Sequence, residues 1–148
     1  YATCYPEFHP ESRDVYDDTN ALKLKQDAGA THFLSQLFFD NEKFYRMVER
    51  ARLAGVTAPL EAGIMPATNK KSIERMVSMT NAHLPQKFVK MMNRFENSQE
   101  AIRDAGIAYA IDQIVDLITN GVEGIHLYTM NNSYVAKRIN EAVRSLFN

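Results

Sequence analysis

Cysteine is almost missing from this chain. Cys4 is the only one in 148 residues, so an internal disulfide is impossible and no cysteine-rich metal centre or disulfide scaffold can be built. An excess of either charge is missing too. Lys and Arg number 17 against 18 Asp and Glu, and no basic block stands out, which excludes a dedicated nucleic-acid surface. The apolar runs stop far short of the roughly 20 residues needed to span a bilayer. No charged start leads into an apolar stretch, so no signal peptide is read, and no low-complexity linker divides the chain. A soluble cytoplasmic protein with one domain over residues 1–148 is expected. An apolar fraction of 45% is ample for a buried core.

What is present alternates between two periods. Tyr1–Tyr5 reads as a strand closed by Pro6, and Pro6-Glu7-Phe8-His9-Pro10 as a loop held out of helix by its two prolines. A chain that opens inside a strand is expected to be a piece of a longer polypeptide. A loosely periodic helix follows over about 14–28, stopped by Gly29, and then a nearly continuous apolar strand over 32–39, the pattern of a strand buried on both faces. Asp40 or Asn41 caps a helix ending at Gly55, and residues 59–65 form a third strand whose Gly63 permits close backbone approach. Helices are expected from Thr68 or Asn69 to about Thr80, over 86–95 after a break at 81–85, and over 98–119. A fourth strand spans 124–129, and a last helix capped by Asn132 or Ser133 runs to about Leu146.

Strands alternating with helical crossovers argue for an α/β fold with a parallel sheet. Four units suit a small doubly wound sheet or half of an eight-stranded barrel. The chain has neither Gly-x-Gly-x-x-Gly after a strand nor a Walker A sequence, which favours the half barrel.

In such a barrel function sits at the C-terminal ends of the strands. Those ends offer aromatic, amide and hydroxyl groups, with no Ser/His/Asp set, no His/Cys metal spacing and no paired carboxylates. That suits a large planar ligand that brings its own chemistry. Asp18 and Lys25, seven residues apart, return to nearly the same helix face: a solvated pair, or a cation for a phosphate beside an acceptor for a ribose or adenine. His9 is either a turn residue between prolines or a ligand contact. Gln36, a lone amide in an apolar strand, must be satisfied by a ligand or internally. Tyr128 is either packing or site. Met47, Met76, Met79, Met91 and Met92 read as core or interface filler, and His32, His83 and His126 as structural.

Five stretches stand in order with near-regular spacing: Tyr5-Pro-Glu-Phe-His-Pro-Glu11, Leu22-Lys-Leu-Lys-Gln-Asp-Ala-Gly-Ala30, Ser35-Gln-Leu-Phe-Phe-Asp40, Gly63-Ile-Met-Pro66 and His126-Leu-Tyr-Thr-Met-Asn131. Together they resemble the methylenetetrahydrofolate reductase family. The resemblance implies strands five to eight of a TIM (β/α)8 barrel, with the N-terminal half absent. It also implies noncovalent FAD passing hydride from NADH or NADPH to 5,10-methylenetetrahydrofolate to give 5-methyltetrahydrofolate, a cytoplasmic location and a homo-oligomer. It assigns Tyr5, His9, Pro10, Glu11, Ser12, Asp18 and Lys25 to the flavin, and Gln36, Tyr128 and Asn132 to the substrates. Asn132 stands where the family commonly has a basic residue, and Met76 where some members have an aromatic one. The family's general acid and its flavin-side aspartate precede this stretch, so no catalytic residue is assigned here and the chain alone is expected to be inactive. Two other readings are a non-catalytic flavin-binding or assembly fragment and another flavin barrel, such as a proline-oxidising enzyme. A half barrel would also leave two open strand edges and an exposed apolar face, to be covered by the missing half or by self-association.

Overall fold

The helix starts follow from short polar side chains that satisfy the orphan N–H groups of a first turn. In the computed structural model, which describes residues 1–80 and 82–147, Asp14 caps α1 (Val15–Asp27), accepting from the N–H groups of Tyr16 and Asp17. Asp40 caps α2 (Asn41–Leu53) and Ser98 caps α5 (Gln99–Thr119) in the same way. Between them lie α3 (Lys70–Thr80) and α4 (Gln86–Phe95). Of the expected break at 81–85, Asn81 lies outside the described residues. The strands are β1 (Ala2–Cys4), β2 (Phe33–Ser35), β3 (Leu60–Ile64) and β4 (Ile125–Leu127). Helix α6 (Ser133–Val143) runs into a 3-10 turn at Arg144–Phe147.

All three strand pairings are parallel and the spatial order is β1-β2-β3-β4. Sequential order means that every crossover advances in the same direction. With crossovers of one hand, the helices are carried to the same side of the sheet. The packing agrees: α1 lies on α2, α2 on α5 and α5 on α6. Among the described residues the strand order never reverses, so the doubly wound alternative loses its binding crevice. The outer edges of β1 and β4 have no partner strand among the described residues.

One side of the sheet faces the helices. Cys4, Phe33, Leu60, Ala62 and Ile64 point there and join Leu22, Phe44, Met47, Ile114 and Ile139 in the main core, all nearly or fully buried. Met92 is core as expected, whereas Met79 is exposed. The other side differs from the sequence expectation. Strand alternation and register put Thr3, Leu34, Glu61, Gly63 and His126 on it, with Thr3 and His126 exposed, and Tyr1 donates its hydroxyl to Glu61 Oε1 at 3.2 Å. That face is polar, not the bare apolar surface expected of an open barrel.

The second strand is also shorter than its apolar run. The β2–β3 ladder gives way at Ser35, where the Gly63 N–H donates to Ser35 Oγ (2.8 Å) instead of to a carbonyl, and the Tyr128 hydroxyl takes the Ser35 carbonyl (2.9 Å). Leu37 and Phe39 then leave the sheet for a second cluster with Met65, Ile73 of α3, Phe88 of α4 and Ile102 of α5. The apolar run 32–39 is therefore half strand and half buried loop. A run of this composition cannot tell the two apart by periodicity.

Candidate functional site

The β1–α1 loop is built around one buried carboxylate. Asp18, 7% exposed, accepts from the His9 N–H (3.2 Å) and the Ser12 hydroxyl (3.1 Å), both at Oδ1. A buried carboxylate needs such donors, and the two bonds fold the loop back over the first turn of α1. Oδ2 makes none of the hydrogen bonds among the described residues. The loop is strained: Phe8 sits at φ 66°, a left-handed conformation that a bulky residue adopts only where its surroundings insist. The turn carries His9 to Tyr5, where the rings meet edge-on at 4.7 Å. The Glu11 N–H donates to His9 Nδ1 (3.1 Å), and Nε2 has no partner among the described residues.

Lys25, two turns along α1 from Asp18, reaches back to the same strand end. Its Nζ donates to the Thr3 carbonyl (2.9 Å) and lies 6.0 Å from the centre of the Tyr5 ring. The shared helix face read from their spacing therefore converges with the loop. Pro10 and Glu11 are exposed on the loop's outer side.

Gln36 follows β2 directly beside Tyr5, its N–H donating to the Cys4 carbonyl (2.8 Å). Its side-chain oxygen accepts from the Leu37 N–H (3.0 Å), while the amide NH2 has no partner among the described residues. The internal alternative holds for one end of this amide, and the other end is left able to donate. Tyr128, past the end of β4, lies against Gly63, whose missing side chain makes the room. A Cβ there would stand 2.6 Å from the Tyr128 ring and 2.3 Å from the Ser35 carbonyl. Burial pushes the Tyr128 phenol above its ordinary pKa, so it stays protonated and donates to Ser35. Burial likewise pushes the Cys4 thiol up to about 12, leaving it inert beneath the site.

Beside Tyr128 opens a cavity of about 360 Å3 between the β3–α3 and β4–α6 loops, lined among others by Met65, Ile73, Met76, Met79 and Met130. Its cation is Arg75, which the sequence reading did not single out. The signal was there, since Ser72, Arg75, Met76 and Met79 recur at helical spacing on one face of α3. Asn132 is elsewhere: exposed, it accepts from the Val135 N–H (3.2 Å) and caps α6.

Tyr5, His9, Ser12, Asp18, Lys25 and Gln36 thus share the C-terminal ends of β1 and β2, with Tyr128 farther along the same rim. The donor set on this rim fits a flavin dinucleotide: an ammonium for a diphosphate, a carboxylate oxygen for a hydroxyl, and aromatic and amide groups for a planar ring. No helix of the described residues is long and apolar enough to cross a membrane.

A methylenetetrahydrofolate reductase family model matches residues 2–144. The 5,10-methylenetetrahydrofolate reductases of Pectobacterium carotovorum subsp. carotovorum and of Escherichia coli K12 are each 33% identical over 135 residues. Those matches cover 91% of this chain and 45% and 46% of the respective relatives. Methylenetetrahydrofolate reductase (NADH) 1 of Zea mays is 32% identical, over 86% of this chain and 23% of its own length. The chain spans a little under half of the bacterial relatives it matches. On the family match and these relatives, the chain belongs to the methylenetetrahydrofolate reductase family.

Proposed function

We propose that this chain forms strands five to eight of a flavin-dependent (β/α)8 barrel. The complete protein, a cytoplasmic homo-oligomer, reduces 5,10-methylenetetrahydrofolate to 5-methyltetrahydrofolate with NADH or NADPH. The observation that carries this reading is the convergence of Tyr5, His9, Asp18, Lys25 and Gln36 on one rim. Sequential strand order with the helices on one side supports the barrel, and the coverage of the relatives supports a half.

FAD, when bound, supplies the two-electron relay between nicotinamide and folate. The chain's own residues hold and orient. Lys25, anchored on the Thr3 carbonyl, gives its positive charge to the diphosphate. Asp18 fixes the loop through Oδ1 and offers Oδ2 to a hydroxyl. Gln36 donates its free NH2 across the rim to the substrate. The cavity beside Tyr128 takes the folate's rings among its methionines, and Arg75 gives it the cation for the folate's carboxylates that Asn132 does not provide. No residue here takes the part of proton donor, which this reading puts on the preceding half, so the chain alone should not turn over.

The test uses the full-length protein under anaerobic conditions. NADH or NADPH should bleach its flavin absorbance, and methylenetetrahydrofolate should restore it. Failure to bleach with either nucleotide would overturn the reading, and bleaching by proline alone would replace it with an amine-oxidising barrel.

A further inference from the structure

The Pro6–Phe8 turn also borders a cavity that takes no part in the rim. About 240 Å3 in volume, it lies between that turn, Val15 at the start of α1, and a stripe of α2 carrying Lys43, Arg46 and Arg50. The three cations recur at i, i+3 and i+7, which places them along one helix face. Among the described residues none of them makes an ion pair, whereas Arg13, Lys23, Arg52, Lys70, Lys87, Arg103 and Lys137 all do. Arg50 is also partly withdrawn from water, with its Nε buried and lacking any acceptor. A guanidinium that has lost hydration without gaining a carboxylate raises the value of an incoming anion.

One acid lines the same cavity. Glu7 accepts from the His83 N–H with both oxygens (2.9 and 2.8 Å), and burial holds its pKa above the ordinary value although that N–H and Lys43 both pull it down. Three positive charges against one negative leave an excess of two, close to the charge of a phosphate group near neutral pH. Two planar guanidiniums and an ammonium are the donors that phosphate recognition uses. The volume falls below the usual range for drug-sized ligands, which suits a phosphate head and excludes a dinucleotide.

We propose that the cavity between the Pro6–Phe8 turn and the Lys43–Arg46–Arg50 face of α2 binds the phosphate group of a small phosphoester. The site is independent of the flavin reading, since neither Lys25 nor Asp18 lines it. An occupant bridges α2 to the turn that carries His9.

Titration calorimetry of the flavin-loaded full-length protein, with inorganic phosphate and pyrophosphate at constant ionic strength, tests this. One saturable site per chain is expected, weakened about tenfold or more by Arg46→Gln or Arg50→Gln, as loss of a charge-assisted contact implies. Glu7→Gln, which keeps an acceptor for the His83 N–H, should tighten it. Lys25→Gln should leave it unchanged. No saturable binding, equal affinity in the Arg46→Gln protein, or loss of binding only in Lys25→Gln would overturn the proposal. Arg46 is exposed, so its variant stays informative even if Arg50→Gln fails to fold.

Discussion

The two ends of the sheet are built from the same strands and handle backbone strain in opposite ways. At the N-terminal end, where each helix returns to the next strand, the left-handed positions are filled by Gly29, Gly55 and Gly121, which adopt them at no steric cost. At the C-terminal end the same region of backbone space is occupied by Phe8, Met130 and Asn131. Hydrogen bonding follows the same division. Below, Gln26 Oε1 accepts from the N–H groups of Thr57 and Ala58, and Arg52 donates to the carbonyls of Val56 and Ala58 while pairing with Glu123. Glu123 in turn accepts from the Leu60 N–H. Above, the Gln36 amide, His9 Nε2 and Asp18 Oδ2 keep capacity in reserve. The lower end closes on itself, and the upper end is held open by neighbours that over-determine it.

The largest test of this contrast falls where the upper end is tightest. Gly63→Ala drives a Cβ into the Ser35 carbonyl at 2.3 Å and into the Tyr128 ring, so it should cost about 3 kcal/mol and dislodge Tyr128 from Ser35. Urea unfolding reads the first effect and tyrosine fluorescence the second. A loss below about 1 kcal/mol would mean that β2 and β3 part easily and that the strand ends are soft. Next comes the lower end. Arg52→Ala strands the carbonyls of Val56 and Ala58 and should cost about 2 kcal/mol in unfolding. Flavin affinity should not change, and a parallel loss of flavin would erase the division between the ends.

The helix starts and stops are largely readable from sequence, because their causes are local, whereas the Gln26 and Arg52–Glu123 bonds of the lower end are long-range. Asp14, Asp40, Ser98 and Asn132 announce caps by side-chain chemistry alone, Gly29, Gly55 and Gly121 announce stops, and α4 spans the expected 86–95. The motif resemblance points to Tyr5 and His9, and helix spacing puts Asp18 and Lys25 on one face. Their convergence depends on an Asp18 that looks like any surface acid until it is seen buried beneath His9. What escaped is long-range. Ser35 ends a ladder because of Tyr128, 93 residues away, and Arg75 faces the cavity only because α3 turns that side inward. The polar open face was written in plain alternation, as Thr3, Glu61 and His126, but general expectations for barrel interiors obscured it.

A smaller effect separates holding a ligand from holding the fold. Among the described residues Lys25 makes one hydrogen bond, an exposed one to the Thr3 carbonyl, and its ammonium lies over the Tyr5 ring. Lys25→Met should therefore leave stability within about 0.5 kcal/mol. It should weaken flavin retention about tenfold, the worth of one charge-assisted contact, as read by equilibrium dialysis of the full-length protein. Unchanged retention would remove Lys25 from the site and leave it an ordinary surface cation.

The finest test exchanges the two solutions to positive φ. Gly121 sits at φ 76° with nothing within 4 Å of where a Cβ would stand. Gly121→Ala therefore isolates the backbone term and should destabilise by about 1 kcal/mol. Met130, at φ 50° and 68% exposed, buries little that a truncation would lose. Met130→Gly removes a left-handed penalty of similar size but adds freedom to the unfolded chain, so the two terms should cancel to within about 0.5 kcal/mol. If instead Met130→Gly destabilises as much as Gly121→Ala, Met130 is held by its side chain and its backbone carries no stored strain. The upper end would then differ from the lower in packing alone.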